Sequence, residues 1–157
     1  MTRQEFITLA QGVQPDLRRW LLALCCGNAS RADDLAQETL ISAYLSISRL
    51  RSDESFRAWV MSIAYRQFIS SSQRIRETEP IECATSVATD SDIPCRYDHL
   101  YAALATLSPK ERSALLLFYI QGYSISEISH ITSSSDSAVK QLLSRGRQHL
   151  KIQLSND

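Results

Sequence analysis

The chain has 157 residues, 44% of them hydrophobic, which suffices for one ordinary domain or two small ones. No apolar run approaches the ~20 residues of a membrane helix and no signal-peptide pattern opens the chain, so no membrane insertion and a cytoplasmic location are expected. The formal charge is zero, which excludes a uniformly basic nucleic-acid binder. That sum hides blocks: residues 1–76 hold ten Arg against seven acids, residues 77–107 hold only Arg96 against six acids, and residues 108–157 hold six bases against four acids.

Glycine and proline number four each, and no stretch alternates long enough for a strand, so an all-α chain is expected. A first helix is expected over Arg3 to Leu24, with an interruption near Pro15, stopped by Gly27-Asn28. Ser30-Arg31-Ala32-Asp33 reads as a capping-box variant that starts a second helix, Ala32 to about Leu50. After the polar break Arg51 to Ser55, a third helix runs from about Phe56 to Arg76, and the three would form one bundle. Adjacent Cys25 and Cys26 read as small core residues. Residues 77–95 are acidic, rich in Thr and Ser, and closed by prolines, which predicts a flexible linker. Cys95 and His99 are four apart with only Cys83 as a nearby third donor; free thiols are preferred over zinc, and no metal or cofactor is expected.

The C-terminal block, residues 96–157, begins with a helix from Arg96 to Leu107. Ser108-Pro109-Lys110-Glu111 then sets an N-cap serine, a proline at the first helical position and a glutamate at the third, opening a helix to Gln121 that Gly122 ends. Ser124-Ile125-Ser126-Glu127 repeats the serine-to-glutamate spacing. The run Ser133-Ser134-Ser135 precedes a final helix with Lys140, Arg145, Arg147 and Lys151. Val139, Leu142, Leu143 and Leu150 form its apolar stripe and leave Lys140, Gln141, Ser144, Arg145 and Arg147 toward solvent or a ligand. Short helices ending in a basic one are what a helix-turn-helix DNA reader requires.

Two blocks carry a family resemblance. Asp34-Leu35-Ala36-Gln37-Glu38-Thr39, with Phe56-Arg57-Ala58-Trp59-Val60 and Ile63-Ala64, resembles region 2 of bacterial sigma factors. Leu107 to Arg112, Gly122 to Ile128 and Ala138-Val139-Lys140 resemble region 4. A chain of this length holding only these two regions resembles the extracytoplasmic-function (ECF) subgroup of the sigma-70 family. The resemblance implies an all-α protein with a region 2 bundle over 1–76, a linker over 77–95 and a region 4 helix-turn-helix domain over 96–157. It implies promoter-directed transcription initiation with core RNA polymerase, and no catalytic residues. Asp33, Asp34, Gln37 and Glu38 would dock on the β′ clamp helices, with region 4 at the β flap. Arg51, Ser52, Asp53, Arg57, Arg66, Gln67 and Arg74 would serve −10 DNA. Ser135, Asp136, Ser137, Lys140, Gln141 and Ser144 would face the −35 groove, with Arg145 and Arg147 on phosphates. Trp59 is expected in the core with Phe56 and Ile63 rather than as a base-stacking platform. An anti-sigma factor is the further partner the resemblance implies.

The chain departs from the family pattern in three places. It has Ala64-Tyr65-Arg66 where Ala-Arg-Asn is frequent, Ser70-Ser71-Ser72 where an Asp and a denser Arg run are frequent, and Ser133-Ser134 where glycine and an apolar residue are frequent. Weaker phosphate binding by the third helix and a looser turn are expected. These departures motivate a second reading, a sigma mimic that binds an anti-sigma factor without directing transcription. A third, a dimeric helix-turn-helix regulator, leaves the region 2 motifs unexplained. An enzyme is the weakest reading, because the chain holds no nucleophile–base set, phosphate loop or metal cluster.

Overall fold

The computed structural model describes residues 2–50, 55–78 (backbone only from 75) and 98–155. Among these it contains seven α-helices, one short 3-10 turn and no strand. The linker region over 79–97, with Cys83, Cys95 and Arg96, lies outside the described residues, as do Arg51, Ser52 and Asp53.

Helix α1 (Arg3–Leu24) opens on a complete capping box: the Glu5 N–H donates to Thr2 Oγ1 at 3.2 Å, and the Thr2 N–H donates to Glu5 Oε2 at 3.0 Å. Pro15 does not interrupt it, contrary to the expectation from sequence. Pro15 stands on the exposed face, so the carbonyl one turn back, deprived of its N–H, faces water. Leu17, Trp20, Leu21 and Leu24 recur at helical spacing and are fully buried. At about 1.5–3 kcal/mol for each such side chain, this stripe is the main reason α1 docks.

Helix α2 (Ala29–Leu45) starts three residues earlier than the Ser30 box predicts. Asn28, in extended backbone, is the cap, and its Oδ1 accepts from the Arg31 N–H at 3.1 Å. The helix also ends earlier than expected, at Leu45, and Ile47–Arg49 forms the 3-10 turn. Helix α3 (Phe56–Thr78) follows, two residues longer than expected. Helices α1, α2 and α3 pack on one another as the N-terminal bundle. Phe56 and Trp59 lie against its core as expected, their ring centroids 6.1 Å apart. Cys25 is buried, and that burial pushes its thiol up to about 11, so it is a protonated core thiol at neutral pH.

The C-terminal module comprises α4 (Asp98–Ala105), α5 (Pro109–Tyr119), α6 (Ile125–Thr132) and α7 (Asp136–Ser155). Ser108 and Ser124 cap α5 and α6 through the N–H groups of Glu111 and Glu127, as their spacing predicts. Only Ser124 gains the reciprocal bond, because the Glu111 carboxylate meets His149 Nδ1 of α7 at 2.9 Å instead. Helix α7 packs on α4, α5 and α6. Gly146 permits the close approach to α5: a Cβ there would lie 2.7 Å from Leu115 Cδ1.

Ser133, between α6 and α7, adopts φ 55 and ψ 40, the left-handed conformation that closes a helix C-terminus. The Ser134 N–H reaches back to the Ser129 carbonyl at 3.0 Å. A residue with a Cβ is strained there, by about 1–2 kcal/mol. Ser133→Gly is therefore expected to stabilise the chain by about 0.5–1 kcal/mol, after the larger unfolded-state entropy of glycine is subtracted. Differential scanning calorimetry reads this as a rise of roughly 1–4 °C in midpoint.

The two modules share one apolar core that runs from Phe6 to Leu143. Helix α3 packs on α6 and α5, and α1 packs on α5.

Candidate nucleic-acid interface

Helices α6 and α7 and the tight turn over Ser133–Ser135 make a helix-turn-helix unit. Ile128 and Ile131 of α6 and Val139, Leu143 and Gly146 of α7 are buried. They fix which side of α7 faces outward. Ser135 caps α7, its Oγ accepting from the Ala138 N–H at 3.1 Å. Ser135, Asp136, Ser137, Lys140, Gln141, Ser144 and Arg145 are all exposed. Ser137, Lys140, Gln141 and Ser144 follow i, i+3, i+4, i+7 spacing and form one polar strip along the outer face. The strip holds donors and acceptors but no bulky apolar group, which is the chemistry of base-edge reading in a major groove. Arg147 is exposed but engaged: its Nε donates to the Tyr119 hydroxyl at 2.7 Å, and its guanidinium lies 5.7 Å from that ring's centroid.

In the N-terminal bundle, Asp34, Gln37 and Glu38 are exposed on α2. Asp33 is half-buried and pairs with Arg18 Nη2 of α1 at 2.5 Å. The exposed face continues beyond the four polar positions through Ile41, Tyr44 and Leu45, which are 60%, 45% and 78% exposed. Helical spacing from Gln37 and Glu38 would have identified these three as one surface with them.

Helix α3 presents Arg66 and Arg74 to solvent. Gln67 turns toward α2, donating to Ser42 Oγ at 3.1 Å. Ser71 and Ser72, which stand where the family's denser Arg run is frequent, accept bonds from Arg31 Nη2 at 3.3 and 3.2 Å. Arg57 is held at the junction of the modules, paired with Asp16 and Gln121. Arg112, which the sequence marks only as part of the region 4 motif, is buried and donates to three backbone carbonyls: Leu104 at 2.9 Å, Leu107 at 3.1 Å and Leu24 at 2.6 Å. Two of its acceptors lie at the C-terminal ends of α1 and α4, where helix dipoles favour a cation.

Two family models match this arrangement in order: sigma-70 region 2 over residues 9–78 and sigma-70 region 4 over residues 97–150. The chain is 30% identical over 148 residues to the ECF RNA polymerase sigma factor EcfG of Rhodopseudomonas palustris, covering 91% of this chain and 81% of that one. The chain belongs to the ECF sigma factors of the sigma-70 family. It is likewise 31% identical over 137 residues to the ECF sigma factor SigF of Caulobacter vibrioides, covering 85% and 76% of the two chains. The same fold is seen in the Bartonella quintana sigma factor RpoE, solved in complex with the anti-sigma factor NepR, with a TM-score of 0.80, 23% identity and coverage of 98% and 99%. This sigma factor thus directs core RNA polymerase to promoter DNA through a region 2 bundle and a region 4 helix-turn-helix unit. Sigma factors act as non-enzymatic initiation factors. No helix among the described residues is long and apolar enough to cross a membrane.

Proposed function

We propose that each exposed face has its own part in initiation. Residues 1–76 form the unit that docks on polymerase and handles the −10 element, residues 96–157 form the unit that reads −35 duplex, and residues 77–95 tether them. Asp34, Gln37 and Glu38 of α2 offer carboxylates and an amide to the β′ clamp helices, with Asp33 set back in its Arg18 pair. Arg66, Arg74 and Arg57 supply cations to −10 DNA, together with Gln67 and the segment Arg51, Ser52 and Asp53. Lys140, Gln141, Ser137 and Ser144 face −35 base edges, while Ser135, Asp136, Arg145 and Arg147 flank them. The observation that carries this reading is the polar strip of α7, exposed along its length because Val139, Leu143 and Gly146 turn inward. Region 4 rests on the β flap of the same polymerase, so the second DNA contact becomes intramolecular and weak modules bind well together. The chain has no catalytic chemistry of its own and acts in the cytoplasm, and an anti-sigma factor covers it when it is off duty.

The α7 assignment is tested by run-off transcription with reconstituted holoenzyme on a promoter the sigma factor uses. Lys140→Ala and Gln141→Ala are each expected to cost about 1–3 kcal/mol of promoter discrimination, roughly 5–150-fold in initiation at limiting template. The loss should vanish on templates whose −35 element is scrambled. An equal loss on scrambled templates would remove α7 from sequence reading.

A further inference from the structure

Arg147 of α7 stands against an aromatic pair at the end of α5. Its Nε donates to the Tyr119 hydroxyl at 2.7 Å, and its guanidinium lies 5.8 and 5.7 Å from the centroids of the Phe118 and Tyr119 rings. Those two rings meet edge to face, their centroids 5.0 Å apart. An exposed arginine ordinarily samples many rotamers, whereas this one is fixed by a hydrogen bond and two rings. Among the described residues no carboxylate pairs with it, so its charge stands unneutralised.

The Tyr119 hydroxyl has a proton left over. Arg147 occupies a lone pair of the phenol oxygen, and the O–H proton has no acceptor among the described residues. A hydroxyl that accepts from a cation is polarised and donates more strongly. Tyr119 is 60% exposed, so this donor faces water beside the remaining guanidinium N–H groups. Such a set of donors is complementary to an anion with several oxygens. Its place is the border of the groove-facing strip. At about 100° per residue, Arg145 and Arg147 lie on opposite sides of Ser137, Lys140, Gln141 and Ser144. A helix about 10–12 Å across fills a major groove about 12 Å wide, so its flanks meet the two phosphate backbones. Tyr119 stands on the Arg147 flank.

We propose that the Tyr119 hydroxyl and the Arg147 guanidinium clamp one backbone phosphate beside the −35 element, so that α5, outside the helix-turn-helix unit, supplies part of the grip on DNA. The proposal rests on the assignment of Arg147 to −35 DNA made above. Tyr119 and Ile120, the latter 42% exposed, also offer an apolar surface to polymerase. Tyr119→Phe separates the two uses, because it keeps the ring and removes only the hydroxyl. Both Tyr119 and Arg147 are exposed, so neither change is expected to unfold the chain.

The test measures holoenzyme affinity across a salt series, for a promoter duplex the sigma factor uses and for the same duplex with its −35 element scrambled. Tyr119→Phe is expected to weaken both by about 3–10-fold with the salt slope unchanged, since a neutral phosphate donor releases no counterion. Arg147→Ala is expected to weaken both by about 5–30-fold and to lower the slope by about 1. The double variant should bind within about twofold of Arg147→Ala, because the two donors hold one phosphate. A loss in Arg147→Ala with none in Tyr119→Phe overturns the clamp and leaves Arg147 acting alone. No loss in either variant overturns it too, and identifies the −35 assignment of Arg147 as the part that failed. Losses that multiply in the double variant overturn the shared phosphate. Weaker binding of Tyr119→Phe to core polymerase without DNA assigns the hydroxyl to the protein surface and overturns the proposal.

Discussion

Replacing Arg112 with methionine is expected to lower the thermal midpoint of the full chain by roughly 10–15 °C, the loss of about 3–5 kcal/mol in a protein of this size. Arg112 is 9% exposed and, among the described residues, meets no carboxylate; its partners are the carbonyls of Leu24, Leu104 and Leu107. Methionine has similar length and fits an apolar setting, so packing changes little. The carbonyls of Leu24 and Leu107 nevertheless lose the arginine donor, at about 1–3 kcal/mol each unless water enters, while the Leu104 carbonyl keeps only the Leu107 N–H at 3.1 Å. Two helix C-termini also lose their cation. Arg112→Lys should fall between the two, because one ammonium cannot span acceptors that a planar fork reaches from three nitrogens. Thermal melts followed by circular dichroism decide the matter. A shift of only 2–3 °C for the methionine variant would show that the three bonds contribute no more than ordinary surface contacts.

The second large effect is expected on the outer face of α2. Glu38→Lys and Ile41→Glu should each weaken association with core polymerase at least 30-fold, the loss of about 2 kcal/mol or more that marks a central interface residue. Both side chains are exposed, Ile41 at 60%, so the fold should lose less than about 0.5 kcal/mol in either variant. Charge reversal at Glu38 places a cation against a basic surface, and a carboxylate at Ile41 must be desolvated against whatever covers that apolar position. Asp33→Ala should do less, because its carboxylate already faces Arg18. Fluorescence anisotropy of labelled sigma factor titrated with core polymerase measures this. Binding of both folded variants as tightly as the parent would mean that α2 is not the docking face.

Local chemistry made much of this fold legible. Ser108, Ser124 and Ser135 each cap the helix that their spacing to the next residues implies, since a cap is decided within one turn. The outward strip of α7 was legible for the same reason: Val139 and Leu143 fix the inward side, and the remaining positions follow from 3.6-residue geometry. The start of α2 is ambiguous in the sequence because Asn28 and Ser30 are both good caps two residues apart, and only backbone conformation selects between them. Pro15 does not break α1 because a proline on the water side of a well-buried helix costs less than the docking of Leu17, Trp20, Leu21 and Leu24 supplies.

What the sequence did not reveal is long-range. Arg57 meets Gln121 across 64 positions, and Arg112 meets Leu24 across 88. No periodicity links residues so far apart, and each arginine has an equally good local explanation as a phosphate contact or a surface charge. The Ser71 and Ser72 hydroxyls belong to the same class: they looked like a gap in a basic helix, and they are acceptors for Arg31.

The central claim is that both modules act together on polymerase, and run-off transcription with purified core enzyme on a library of genomic fragments tests it most directly. The account predicts discrete transcripts that start a fixed distance downstream of a shared two-part sequence, lost when either part is scrambled. Stable binding to core polymerase or to an anti-sigma protein with no RNA from any fragment would contradict it and leave the chain a mimic of its family.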